Sequence, residues 1–337
     1  IFQDLVEAGI LYTAVFEEES TRRFAPKLLK GLENLLCKYA PDAGDLDYCN
    51  TAVLIELFSL MAVIAGLRSI GIFGNMTDFL LSRAGTVRRL GVMLILISFF
   101  SAMLVTNDVA LLTFVPLTVL TFRNIPGEKH KILTVVLENA AANLGSMLTP
   151  VGNPQNLYLY DTYHLTTAVF FRTMIPTGIA GLCCILLLTF LLPAEPCRPE
   201  ASGQSEIPKP KLAVYSVLFV FCLLTVFRIV PDWVCLIVTV LVILLTDRKL
   251  LLKVDYALLA TFVCFFVFVG NIARIDAVSE FFSKILTGRE LLISVLLSQV
   301  ISNVPAAVML SGFTDNGMAL LLGVNLAHKL GLLDGLW

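Results

Sequence analysis

Three stretches of this 337-residue sequence put polar side chains in apolar surroundings. Thr106, Asn107 and Asp108 interrupt the apolar run Gly91–Phe122, and Ser302 and Asn303 interrupt a second run, Leu291–Leu322. The third is LGSMLTPVGNPQN, Leu144–Asn156, a glycine and proline cluster that cannot stay helical in the middle of Ile132–Tyr160. An asparagine amide offers two donors to a carboxylate or oxyanion and a carbonyl oxygen to a cation, so Asn107, Asn303 and Asn156, with Thr106 and Ser302, are candidate substrate-binding residues. Helix ends freed at mid-membrane present positive dipole ends to an anion and unwound carbonyls to a sodium ion. Thr149, Gly152 and Asn153 supply oxygens and backbone freedom together, as a cation site requires. Asp108 is an acid deep in an apolar run, where it must face a cavity, a cation or a proton path. Glu138 and Asn143 on the same broken helix are secondary candidates. The plain alternative for Asn107 and Asn303 is that they only cap half-helices.

All of this is binding chemistry. The apolar spans carry no Ser–His pair, metal cluster or catalytic dyad, so no catalytic residue is assigned and an enzyme is not expected. No resident metal or cofactor is expected either, only a bound sodium ion or proton. Of the eight cysteines, Cys183, Cys184, Cys222, Cys235 and Cys264 lie in apolar spans as small hydrophobes, and His130, His164 and His328 fall in loops or the tail.

The elements that must position these residues are membrane helices. Hydrophobic residues make up 57% of the chain and charged residues 15%, against about 25% charged in ordinary soluble domains, so a soluble core is excluded. A net charge of −2 gives no nucleic-acid surface. Thr51–Phe73, Ala168–Leu192, Leu212–Val230, Trp233–Thr246 and Tyr256–Asp276 read as crossings. The run Gly91–Phe122 is too long for one straight span of about 20 residues, and its polar middle reads as a re-entrant hairpin with its tip near Asn107. Leu291–Leu322 reads as a second hairpin with its tip near Asn303, and Ile132–Tyr160 as one discontinuous helix.

The chain divides into a charged segment, 1–47, with an amphipathic helix from Pro26; a first repeat, 48–192; a polar cytoplasmic linker, 193–211; and a second repeat, 212–337. Each half has a span ending near a glycine (Gly66, Gly270), a stretch with a phenylalanine (Phe79, Phe281) and a broken run. About five crossings separate the tips, an odd number, so the repeats are inverted. Arg83, Arg88, Arg89, Lys129, Lys131, Arg248 and Lys253 share one face, which the positive-inside bias puts in the cytoplasm. The fold class is therefore all-α, a polytopic membrane protein with inverted repeats, two re-entrant hairpins and a broken transmembrane helix.

At these residues the sequence resembles the ion transporter superfamily, in particular the anion permeases that include divalent anion:sodium symporters, citrate permeases and arsenite or sodium-proton antiporter relatives. VTNDVALLTFVP and NLGSMLTPVGNPQN match that family's first hairpin and broken helix, and SQVISNVPAAVML its second hairpin, over roughly Leu46–Asn325. The resemblance implies that Thr106, Asn107 and Asp108 with Thr149, Gly152, Asn153 and Asn156 form a first ion site and part of the substrate site, and that Ser302 and Asn303 give the matching half of the second. Asp108 and Val304 stand where threonine is common. At both ends the pattern departs from the family, so this chain is expected to lack part of the scaffold and one of the two ion sites. The expected function is a multi-pass permease of the plasma membrane. It moves a small anion, a di- or tricarboxylate or an inorganic oxyanion, coupled to sodium or protons, with the lipid bilayer as surroundings and a homodimer as assembly. The alternatives are a sodium/proton antiporter or arsenite permease, and, from another class, a truncated non-transporting membrane binding or interaction protein.

Overall fold

The computed structural model describes residues 48–72, 84–125, 127–197 and 207–330, with side chains to residue 326. The chain separates into two compact units, 1–48 and 49–337, and the helices below all belong to the second. The amphipathic helix expected from Pro26 and the stretch around Phe79 lie outside the described residues.

Helix α1, Thr51–Ser69, opens the unit, and Asn50 caps it by accepting the Val53 backbone N–H. Helix α2, Val87–Val105, and α3, Asn107–Thr121, meet at Thr106. Helix α4, Glu128–Ser146, is followed after a turn by α5, Pro154–Thr162. Helix α6, Thr167–Leu188, extends through a 3-10 turn to Leu191. Helices α7, Lys209–Val226, α8, Asp232–Asp247, and α9, Tyr256–Ala273, come next. The chain then forms α10, Asp276–Leu286; α11, Glu290–Ile301; α12, Asn303–Ser311; and α13, Gly317–Leu330. The fold is all-α: among the described residues the only extended pairing is an isolated bridge between Thr86 and Pro196.

Among the described residues, α1, α2, α6, α7 and α9 are each long and apolar enough to cross a membrane. Their outer faces are apolar and open, with Leu187 65%, Val217 69% and Phe268 51% exposed, an arrangement that water does not tolerate over such an area. The interior is packed by contrast. The Tyr215 ring of α7 is fully buried where Gly66 of α1 leaves room for it.

The breaks lie one residue earlier than the sequence suggests. Thr106 has φ 78 and ψ 151, Ser302 has φ 73 and ψ 164, and Asn107 and Asn303 begin the helices that follow. Both hydroxyl residues occupy a backbone region that glycine fills almost alone, at about 1–3 kcal/mol each, so the surroundings must hold them there. The two breaks have the same company: α2 and α3 both pack on α4, and α11 and α12 both pack on α13. The arms differ in reach, since α2 with 19 residues is about 28 Å long and α11 and α12 with 12 and 9 are about 18 and 14 Å.

Two further boundaries differ from the reading of the sequence. Helix α2 begins at Val87 rather than Gly91, because Thr86 caps the Arg89 N–H and Arg88 donates to the Leu192 and Phe190 carbonyls. Pro116 stays inside α3 and ends nothing. The run Leu291–Leu322 has a second break after Ser311, so α13 is a separate helix that takes the place beside its hairpin that α4 takes beside the first.

Candidate functional site

Glu138 fixes the first hairpin. Its two carboxylate oxygens accept from Ser98 Oγ on α2 at 2.8 Å and from Thr118 Oγ1 on α3 at 2.7 Å, and all three residues are fully buried. One side chain of α4 thus clamps both arms in an antiparallel pair. The tip is tied as well, because Asn107 Nδ2 donates to Asn143 Oδ1 at 3.0 Å. Helical serine and threonine have a fallback in the carbonyl four residues back, so Glu138→Ala is expected to lower stability by about 2 kcal/mol. Glu138→Gln, whose amide the same hydroxyls can serve, is expected to cost less than half of that. Thermal unfolding of the two variants in detergent measures the difference.

Past Ser146 the helix unwinds, and Asn156 gathers the freed carbonyls. Its Nδ2 lies within donor distance of the carbonyl oxygens of Ser146, Met147 and Thr149 at 3.4, 3.1 and 3.0 Å. Asn153 caps α5 by accepting the Asn156 N–H at 3.0 Å, and Pro154 holds the first helical position, where no donor is needed. Gly152 passes so close to the Ser146 backbone that a Cβ has no room, which is why glycine stands there. Thr149 Oγ1 donates to the Met103 carbonyl and fastens the loop to α2. The two halves of the chain meet here: Asn325 of α13 donates to Asn156 Oδ1 at 2.7 Å and accepts from Asn153 Nδ2 at 3.3 Å. All three asparagines are buried.

A cavity of about 570 Å³ opens beside the first tip, between α1, the hairpin, the unwound loop and the start of α9. Its polar lining is Thr106 and the buried Asn153, with the exposed residues Arg68, Ser69, Asp108, Lys253 and Asp255 toward the mouth. Asp108 stands in the first turn of α3, where the helix dipole favours an acid.

Of the residues singled out from the sequence, Thr106, Asp108 and Asn153 therefore line one space. Asn107 and Asn143 form a pair behind it, and Thr149, Gly152 and Asn156 shape the loop. Glu138 is not part of the cavity wall. Ser302 and Asn303 form the second tip, where Asn303 is buried at the start of α12, and neither lines this cavity. The sequence reading missed Arg68, Asp255 and Asn325. Asn325 carries a detectable signal, because Asn325–Leu326 in the second half repeats Asn143–Leu144 in the first.

The profile of the citrate transporter family matches residues 8–326. This chain belongs to that family. An uncharacterized transporter of Methanocaldococcus jannaschii is 34% identical over 276 residues, 81% of this chain and 75% of that protein. The inner membrane protein YbiR of Escherichia coli is 31% identical over 287 residues, 84% and 76% respectively. A silicon efflux transporter of Oryza sativa is 28% identical over 161 residues, 47% of this chain and 32% of its own. With its apolar spans, this citrate transporter family member is a multi-pass membrane protein and a secondary anion permease.

Proposed function

We propose that this permease carries a small oxyanion or carboxylate through the cavity at the first hairpin tip, coupled to sodium ions or protons at Asp108. The observation behind this is the composition of the cavity wall: the Thr106 hydroxyl and the buried Asn153 amide share one space with the exposed carboxylate of Asp108 and the exposed cations of Arg68 and Lys253. The cations raise the local concentration of an anion. The amide donates to it, and the acid with nearby oxygens accompanies a cation. Nothing in the cavity suits bond making, so the cargo leaves unchanged.

The test is uptake into lipid vesicles of labelled citrate, succinate, phosphate and silicate under separate sodium and proton gradients. One of these anions is expected to accumulate, and Asp108→Asn is expected to lower its flux at least about ten-fold, a change of about 1.4 kcal/mol. A sodium-independent flux abolished by Asp108→Asn assigns the coupling to protons. A flux that ignores both gradients and the substitution overturns the proposal. A second reading, export rather than uptake, comes from the relative named for silicon efflux, and reversing the gradients in the same vesicles tests it.

A further inference from the structure

The long helices put two polar features at opposite ends. Helix α1 carries Asn50 at its start and Arg68 in its last turn, 19 residues or about 28 Å of helix. Arg68, which is exposed, lines the cavity mouth, while Asn50 Nδ2 donates to Asp161 Oδ2 at 2.7 Å. Helix α8 repeats the arrangement. It starts just after Arg228, and beyond its other end lies Lys253, again on the cavity wall.

At the end away from the mouth, Arg228 reaches across from the turn between α7 and α8. Its Nη2 donates to the Tyr160 carbonyl at 2.9 Å, its guanidinium lies 5.0 Å from the centre of the Tyr160 ring, and Nη2 is 3.9 Å from Asp161 Oδ1. A cation there also meets the negative end of α5. Arg228 itself has φ 60, an unfavourable value for a side chain this large, held for a contact rather than for a turn that glycine makes freely.

The two sides of this contact lie on different helices. Helices α1, α7 and α8 pack on one another. Asp161 and Tyr160 end α5, which packs on α12 and α13 as well as on α1 and carries at its start the asparagines of the unwound loop. We propose that Asn50, Asp161 and Arg228 form a latch that closes the face opposite the cavity mouth. The structure is then one of two access states, and release of the latch is a step of the transport cycle. This rests on the permease reading above.

The strength of the contact suits a reversible role. Asp161 and Arg228 are partly exposed, at 20% and 39% of their side chains, and ion pairs of that kind bias an equilibrium several-fold without fixing it.

The test has two arms, both on the full chain in lipid vesicles. In the first, hydrogen–deuterium exchange is followed without substrate for Arg228→Ala, Asp161→Ala and the reversed pair Asp161→Arg with Arg228→Asp. Each single variant is expected to speed exchange about five-fold in residues 51–57 and 158–163, with the rest of the molecule unchanged. The reversed pair is expected to restore much of the protection. In the second arm, Asn50→Cys with Asp161→Cys is joined by a short bis-methanethiosulfonate, with the unsubstituted protein as control for the native cysteines. Flux is expected to stop and to return on reduction. Unchanged exchange in those two segments, exchange raised evenly over the whole molecule, or full flux through the joined protein overturns the latch. A protein that carries none of the anions offered defeats the permease reading, and the exchange arm then decides about the latch by itself.

Discussion

Asn156→Ala is expected to destabilise the protein by about 3–5 kcal/mol and to abolish transport. The Asn156 side chain is fully buried, and its amide faces three backbone carbonyls at and beyond the end of α4, of which that of Thr149 also accepts the Gly152 N–H. Truncation leaves the Ser146 and Met147 carbonyls and the Asn325 amide, which donates to Asn156 Oδ1, in a site that one methyl group cannot fill. Each unpaired buried group costs about 1–3 kcal/mol, and some of the loss is recovered by water or relaxation. Asn156→Asp is expected to be no milder, because it replaces the donor with an acceptor facing three acceptors. Asn325→Ala removes the partner instead and is expected to cost about half as much, since Asn325 also bonds the Leu321 carbonyl of its own helix. The double variant is expected to fall short of the sum of the two, as contacting residues do. Thermal unfolding in detergent gives the stabilities, and vesicle uptake gives the activity.

The second large effect is expected at Gly145. A Cβ there would overlap the Phe99 carbonyl oxygen, so α2 and α4 pack backbone to backbone at this point. Gly145→Val must push apart the two helices that Glu138 also joins. Overpacking of this kind costs about 3 kcal/mol or more, and the protein is expected to be recovered from membranes at a small fraction of its usual yield. Gly145→Ala is expected to retain the fold with a lowered unfolding temperature. Gly85→Ala is the control, since nothing lies within 4 Å of a Cβ at that position, and it is expected to behave as the parent. Close approach through small residues is how helices associate in lipid, where burial gives no driving force.

Much of the fold is readable in the sequence because lipid narrows the choice. Apolar length identifies α1, α6, α7 and α9 to within about four residues at either end, and polar interruptions locate both tips to within one position. What escapes is decided by contacts between distant segments. Arg88 and Arg89 read as interfacial charges, yet carbonyls near residue 190 draw Arg88 into the first turn of α2. The loop at Gly145–Asn156 reads as a set of carbonyls open to a cation, whereas three of them face Asn156, whose side-chain direction no spacing rule supplies. Glu138 reads as a titrating candidate, and its two hydroxyl partners lie 40 and 20 residues away on separate helices. Arg68 and Asp255 join Asp108 around one space only because α1 ends and α9 begins beside the hairpin. Local pattern shows that a polar residue is costly in lipid, while the partner that offsets the cost is a property of packing.

Thr106 and Ser302 have a mechanical consequence. A residue forced into glycine's part of backbone space sits in a steep well made by its neighbours, and small rotations there meet rising resistance. Such positions make poor hinges. Each hairpin is therefore a stiff wedge, its point fixed relative to its arms, and the give of the structure lies in the connecting turns at the wedge's base.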